Sequence, residues 1–324
     1  MTLLSVVQQT FGEIGLSPPS QVVGNSDPNV LKAFYLANRA AIDLRNTPNA
    51  ADYWPILRQQ FLFNLFGIGP FSGVFTTGSP VITAVTGTNL AGVLTGWQVS
   101  SKYALNDTMV VSVNTGAGTV TMSQSCTVGS TSTPQTDTQV AFGQEAYPLP
   151  SDLGHFIPQT GWDRNFRWQL LGPVNAQEWQ VLKSGISPVG PRLRYRLMDN
   201  QIYINPAPYV PSGQSSPISD QIVMEYSSKN FVAVASAPTV AVQSAYALDT
   251  DLSLISEDLI TLSLKWRVLK AIGAKWAAEF VDYQDELDKA SGRQTMARNL
   301  PLNARASGIR LLNSSNVPDT GFGS

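Results

Sequence analysis

The chain has 324 residues, of which 43% are hydrophobic and 14% are charged, and its formal net charge is −2. This length accommodates one large or two ordinary domains, and the charge balance argues against a strongly basic nucleic-acid binder. The charged fraction is well below the roughly 25% of ordinary soluble domains. A weakly charged polar surface is typical of a subunit that other subunits cover.

Two helices and a strand are predicted at the N-terminal end. Apolar residues recur at helical spacing over residues 2–16. A second helix is predicted to begin at Asp27, which can cap free N–H groups, with Pro28 at the first helical position, and to end near Thr47. Residues 59–66 are rich in Phe and Leu and predict a strand.

The composition changes between Gly69 and Gly143, where the only charged residues are Lys102, Asp107 and Asp137. Short β-branched runs alternate there with turns of Gly, Asn and Ser. This pattern predicts an all-β module, and we interpret it as an insertion because mixed patterns resume after it.

The next segment predicts two short helices and a small antiparallel sheet. Residues 150–152 resemble a helix start, and residues 175–183 predict a helix. Two alternating runs flank Asp199 and Asn200, which predicts a hairpin with a two-residue turn. Residues 222–226 predict a further strand.

The most regular pattern lies at residues 256–291, where apolar positions recur at steps of four and three. Such a stripe predicts one helix about 50 Å long, used for helix packing or as a subunit interface. Gly273 lies on the stripe, where it either admits another backbone or kinks the helix. The predicted interface residues are Leu262, Trp266, Leu269, Gly273, Trp276, Phe280, Tyr283 and Leu287.

Residues 292–324 lose this periodicity and predict an extended C-terminal arm. From Lys289 onward the chain has five basic residues and one acid, Asp319. The arm could embrace a protein partner, contact DNA phosphates or have no specific role, and we favour the protein partner. Its candidate binding residues are Arg293, Arg298, Arg305 and Arg310.

Catalytic and metal-binding signals are weak. The chain has one histidine, His155, and one cysteine, Cys126, so no Cys/His zinc site and no internal disulfide are expected. Asp249 and Asp251 could bind a metal, although a turn or capping role is favoured. Glu145 or Glu178 could be a catalytic carboxylate of a glycan hydrolase, but such an enzyme needs two carboxylates in one cleft and nothing in the sequence pairs these residues. We therefore expect that the chain is not an enzyme and that it has no catalytic or metal-ligating residues. We also expect no cofactor and no membrane-spanning segment.

An ordered series of short segments resembles the bacteriophage head-to-tail adaptor family, also called head completion or tail tubular protein A-like. The resemblance covers roughly residues 1–66 and 145–290. The segments that carry it are Val23–Pro28, Tyr53–Leu57, Gly161–Arg164, Gly172–Trp179, Tyr203–Pro208, Glu225–Asn230, Leu248–Asp251, Glu257–Leu262 and Lys265–Arg267.

The resemblance implies a structural ring subunit of a short-tailed phage, a dodecamer between the portal and the tail nozzle. Double-stranded DNA would pass through the lumen without sequence specificity, and the C-terminal arm would contact the portal. The protein would be assembled in the host cytoplasm and reside in the neck of the virion. The alternative is another non-enzymatic tail component, such as a nozzle or fibre-attachment protein.

Combined with this resemblance, the patterns predict an α+β fold: a helical bundle with a long C-terminal helix plus a small antiparallel β-sheet. An inserted all-β module and an extended C-terminal arm complete it. The predicted core comprises residues 1–68 and 144–291, the insertion 69–143 and the arm 292–324. We expect the insertion on the ring exterior against tail fibres or the nozzle, with solvent decoration as the alternative.

Overall fold

The computed structural model of the chain describes residues 1–47, 54–87, 89–127, 133–185, 192–208 and 218–294. It divides into two compact units. The first contains Met1–Gln60, Ser151–Ile157 and the described residues from Glu225 onward, and the second contains Phe61–Pro150 and Pro158–Met224.

Five α-helices lie in the described residues: α1 Leu3–Glu13, α2 Pro28–Arg45, α3 Ala176–Lys183, α4 Glu257–Ala271 and α5 Ala277–Gln294. Short 3-10 turns occupy Pro55–Leu57 and Leu90–Gly92. Side-chain caps explain where two of these helices begin. At the start of α2 the Asp27 side chain accepts a hydrogen bond from the backbone N–H of Asn29, as predicted. At the start of α3 the Asn175 side chain accepts one from the backbone N–H of Glu178. None of the described helices combines the length and apolar character that a bilayer crossing requires.

The first unit is held together by an apolar core that its helices share. The buried face of α1 includes Leu3, Val7 and Phe11, which fits the predicted spacing. Helix α2 contributes small residues, among them Ala33 and Ala37, both with no exposed surface. Small side chains let α2 approach α4 closely, and the two helices pack along their length.

The strands of the described residues are β1 Arg58–Phe75, β2 Val81–Thr86, β3 Gln98–Ser100, β4 Val110–Asn114, β5 Thr119–Met122, β6 Gln135–Gly143, β7 Ala146–Pro148, β8 Leu153–Phe156, β9 Trp162–Asp163, β10 Arg194–Met198, β11 Gln201–Asn205, β12 Ile218–Ser228, β13 Val232–Ala233 and β14 Leu252–Ser253.

The second unit contains a sheet with strand order β3-β6-β1-β2-β5-β4 and antiparallel neighbours. The strand predicted over residues 59–66 extends as β1 to Phe75. Phe71, Phe75 and Phe142 are fully buried in the apolar core of this sheet.

A second sheet of this unit has the order β10-β11-β7. The predicted hairpin is confirmed, since Met198 pairs with Gln201 around Asp199 and Asn200. Both turn residues have positive φ, at 51° and 55°, as a two-residue turn of this kind requires.

The predicted fold class is wrong. Of the described residues, 31% lie in strands and 28% in helices, spread over several sheets and five α-helices. The chain is therefore rich in β-structure, and no long helical bundle with a small accessory sheet is found in its described part.

The single long helix predicted over residues 256–291 is also wrong, because the chain breaks between α4 and α5. Gly273 has a φ of +77°, and its N–H donates to Lys270, while the N–H of Ala274 donates to Leu269. These bonds close the end of α4 around a left-handed glycine. The apolar stripe continues across the break because both helices turn it toward one core.

The helix start predicted at residues 150–152 is wrong, because these residues precede strand β8. The Asp152 carboxylate accepts hydrogen bonds from the hydroxyls of Tyr226 and Ser228, at 2.9 and 2.7 Å, instead of capping a helix. Burial and this carboxylate raise the pKa of Tyr226 to about 12.

Candidate functional site

An aromatic cluster joins α4 to α5 and contains four of the predicted interface residues. The Trp266 ring lies with its centroid 5.1 Å from Phe280, 6.0 Å from Trp276 and 6.4 Å from Tyr283. Tyr283 is buried, and burial raises the pKa of its hydroxyl. The aromatic cluster fixes the two helices side by side.

Cations cover the exposed edge of the aromatic cluster. The Arg267 guanidinium lies 4.4 Å from the Trp266 ring centre and donates to the Asp43 carboxylate of α2 at 2.8 Å. The Lys270 ammonium lies 5.0 Å from the ring centre of Trp276. Cations above indole faces are attracted by the ring quadrupole. The bond from Arg267 to Asp43 in addition links α4 to α2.

A second ion pair set links three helices through Lys265. Its ammonium lies 2.9 Å from Glu279 of α5 and 3.2 Å from Glu13 of α1. The hydrogen bond to Glu279 is the main reason that the pKa of Lys265 is raised. One of the acids of α5, Glu279, is therefore neutralised by an ion pair within the first unit.

The remaining predicted interface residues lie near this cluster. Leu262 and Leu287 are half-buried against the core of the first unit, Leu269 is half-buried on α4, and Gly273 forms the exposed break. The predicted stripe therefore packs largely within its own chain. Its role as an interface between subunits stays a prediction.

Most of the predicted arm lies outside the described residues. Helix α5 runs to Gln294, so the backbone of Arg293 belongs to its last turn. Arg298, Arg305 and Arg310 fall outside the described residues.

The second unit contains a buried ion-pair network that sequence reasoning missed. The Lys183 ammonium lies 2.5 Å from Glu145 and 2.8 Å from Asp107. Lys183 and Glu145 are 8% and 2% exposed, which is rare for charged groups that lack partners. Burial raises the pKa of the Glu145 carboxyl, while Lys183 acts in the opposite direction.

This network borders a cavity of about 360 Å³ in the same unit. Asp107, Lys183 and Asn205 line it together with apolar residues such as Leu105 and Leu182. The Asn205 amide nitrogen is buried and has no hydrogen-bond partner among the described residues. No sequence signal brings these groups together, because they come from distant segments.

The residues considered for catalysis have structural contacts. Glu145 is paired with Lys183, and Glu178 lies 3.5 Å from Arg194. His155 is exposed on β8, where it pairs with Ser227 of β12. A raised carboxyl pKa can mark a general acid, but an ion pair with a buried lysine accounts for the burial of Glu145.

Asp251 has the turn role favoured from the sequence, whereas the Asp249 carboxylate binds a loop that is distant in sequence. The Asp249 carboxylate accepts the N–H groups of Val22 and Val23, and Asp251 accepts those of Ala247 and Leu248. Within the part of the chain that the structure describes, no three His, Cys, Asp or Glu side chains gather at metal-ligand distance.

The charged and aromatic groups described above hold elements of the fold together. The sequence model of the SU10 adaptor protein family matches residues 105–307, more than half of the chain. The chain therefore belongs to the SU10 adaptor family and is a structural adaptor of a bacteriophage particle. No curated protein matches the chain.

Proposed function

We propose that the chain is a connector subunit that forms a ring, expected to be a dodecamer, between the portal and the tail nozzle of a virion. The family match over residues 105–307 carries this proposal, because an adaptor must bind components on more than one side. Double-stranded DNA would pass through the ring without sequence-specific contacts. The proposed location is the neck of a short-tailed phage particle, where the ring completes the head, with assembly in the host cytoplasm and no enzymatic step.

The arginine-rich segment after α5 is the proposed contact to the portal. Lys289 and Arg293 lie in α5, and Arg298, Arg305 and Arg310 follow. Against these five cations the same segment has one acid, Asp319. A cationic segment suits an acidic groove on a partner because charge complementarity speeds and orients association.

The segment 69–143 is proposed to face outward from the ring, against tail fibres or the nozzle. Its strands β2, β4 and β5 form one end of the large sheet in the second unit. Val111 of β4 is 51% exposed there, which leaves apolar surface for a further component.

The direct test mixes the purified full chain with the portal ring of the same phage and images the mixture by electron microscopy. A ring of the chain seated on the portal is expected, whereas the absence of binding at every protein and salt concentration would refute the proposal. Replacement of Arg298, Arg305 and Arg310 by Gln should weaken docking at least tenfold. The matched control replaces the exposed Lys32, Lys229 and Lys275 by Gln and should dock normally.

The rival function is that of a nozzle or fibre-attachment protein, and the β-rich fold favours it. The single long helix predicted from the sequence is absent from the described residues. Labelling the chain at its C-terminus and locating the label in whole particles decides between them. A label at the distal tail would support the rival, and a label below the portal would support the connector.

A further inference from the structure

A tight turn after β9 presents an aromatic and cationic surface. The Asp163 carboxylate accepts the N–H groups of Asn165 and Phe166 at 2.8 and 3.0 Å, and the Asn165 amide donates to Asp220 at 2.7 Å. The N–H of Asp163 also donates to the carbonyl of Trp168 at 2.8 Å. These four bonds fix the turn, so its side chains are presented without a large ordering cost.

The side chains on this turn are apolar or cationic and point outward. Phe166 is 57% exposed and Trp168 is 41% exposed, with ring centroids 6.1 Å apart. Arg164 and Arg167 are exposed on either side of Phe166. Neither arginine forms an ion pair with another described residue. Aromatic rings beside arginines are the typical composition of the energetically dominant centre of a protein interface.

A complementary surface exists on the outer face of α5. Val281 is 53% exposed, and Asp282, Asp285 and Asp288 are exposed along the same side of the helix. Helical periodicity places Val281, Asp285 and Asp288 opposite the buried Tyr283, with Asp282 at the edge of the same face. Within the described residues these three aspartates make no ion pair, unlike Glu279, which binds Lys265. The face therefore offers three carboxylates around an apolar centre, and its one described cation, Lys289, is paired with Glu286 at 3.3 Å.

We propose that the turn Arg164–Trp168 of one copy docks on the α5 face of a second copy. Each copy then has both surfaces, so the contact is head-to-tail and can close a ring of several subunits. This contact rests on the proposed function, because it would join neighbouring subunits of the proposed ring. Duplex DNA is a poorer occupant, because stacked bases leave no flat surface to cover the two exposed rings.

Cross-linking between chains that each carry one added cysteine tests this contact directly. Chains with Arg164→Cys and chains with Asp285→Cys are mixed and oxidised, and the disulfide-linked heterodimer is quantified. The control replaces Asp285→Cys with Asp258→Cys, an exposed acid on α4. The native Cys126 is buried and is common to all chains. The proposal expects at least a tenfold higher yield for the Asp285 pair, and equal yields would overturn it.

A charge exchange provides a second measurement. Arg164→Glu with Arg167→Glu, and Asp282→Lys with Asp285→Lys, should each weaken self-association in sedimentation velocity about tenfold or more, and all four changes in one chain should restore it. Failure of the combined chain to recover, with equal cross-linking yields, refutes the contact. In that case, binding of oligo(dT) that is lost in Phe166→Ala/Trp168→Ala would identify a single-strand nucleic-acid surface instead. If the chain docks on the portal but the cross-linking yields are equal, the proposed contact fails and the connector function stands. Failure of this contact is therefore distinguishable from failure of the proposed function.

Discussion

Trp266 on α4 and Phe280 on α5 lie with ring centroids 5.1 Å apart. In one straight helix the same two residues would be about 21 Å apart at 1.5 Å per residue. The contact exists because the chain reverses at Gly273 and brings α5 back against α4. The geometry of this reversal therefore decides whether the aromatic cluster forms.

Gly273→Ala should destabilise the first unit by about 1 kcal/mol. The φ of +77° is unfavourable for a residue with a Cβ, although no heavy atom lies within 4 Å of the added carbon. The cost is therefore purely a backbone cost, measurable by urea unfolding. Gly12→Ala is the matched control, since Gly12 lies inside α1 with equally open space and should gain roughly 0.5–1 kcal/mol. Equal effects at the two positions would contradict the assigned conformation.

Trp266→Ala should destabilise the chain by about 2 kcal/mol, less than a fully buried tryptophan because the ring is half-buried. The loss includes contacts to Phe280 and Tyr283 and the platform for Arg267. The measurement is chemical unfolding followed by circular dichroism. Tyr35→Ala removes an aromatic ring that is 67% exposed and should change stability by less than about 0.5 kcal/mol. A similar loss in both variants would argue against the cluster as a packing centre.

Local signals allowed correct prediction where neighbouring residues alone determine the structure. Asp27 with Pro28 marks the start of α2, and Asp199 with Asn200 forms the turn of a hairpin. The long helix failed because a stripe of apolar residues has the same spacing in one helix and in two helices that share a core. Only Gly273 distinguished one helix from two helices. The alternative of a kink at Gly273 came closer to the observed break than the single straight helix did.

The buried network and the aromatic turn could not be predicted from sequence. Asp107, Glu145 and Lys183 lie on separate segments, and only tertiary folding brings their charges within contact distance. The fold class failed for a related reason. Five of the fourteen described strands, β3, β7, β9, β13 and β14, are only two or three residues long and leave no periodic signal.

Lys183→Met should destabilise the second unit by about 3 kcal/mol at pH 7, because it leaves the buried Glu145 carboxylate without its cation. Adding Glu145→Gln should recover most of this loss. Urea unfolding of the single and double variants measures the coupling. Lys102→Met is the control, since Lys102 is exposed in the same unit and should change stability by less than about 0.5 kcal/mol.

The penalty of Lys183→Met should also shrink as the pH falls. Burial raises the pKa of Glu145 above its ordinary 4.5, and removal of the lysine raises it further. Below pH 4.5 the carboxyl is protonated in the folded and unfolded states, so no buried charge remains to be compensated. The difference between wild type and variant should therefore be smaller near pH 4 than at pH 7. A penalty independent of pH would show that the lysine acts through packing alone.

Lys265→Met should destabilise the first unit by about 1 kcal/mol near pH 8, and the difference should vanish at alkaline pH. The carboxylates of Glu279 and Glu13 hold the pKa of Lys265 above its ordinary 10.5. A raised cationic pKa stabilises the fold fully below pH 10.5, and this contribution is lost as the pH rises through the folded-state value. Several tyrosines titrate in the same range, so the measured quantity is the difference in unfolding free energy between wild type and variant from pH 8 to 11.5. Lys270→Met, which removes a cation near Trp276 instead of one between carboxylates, should show a smaller change over that range.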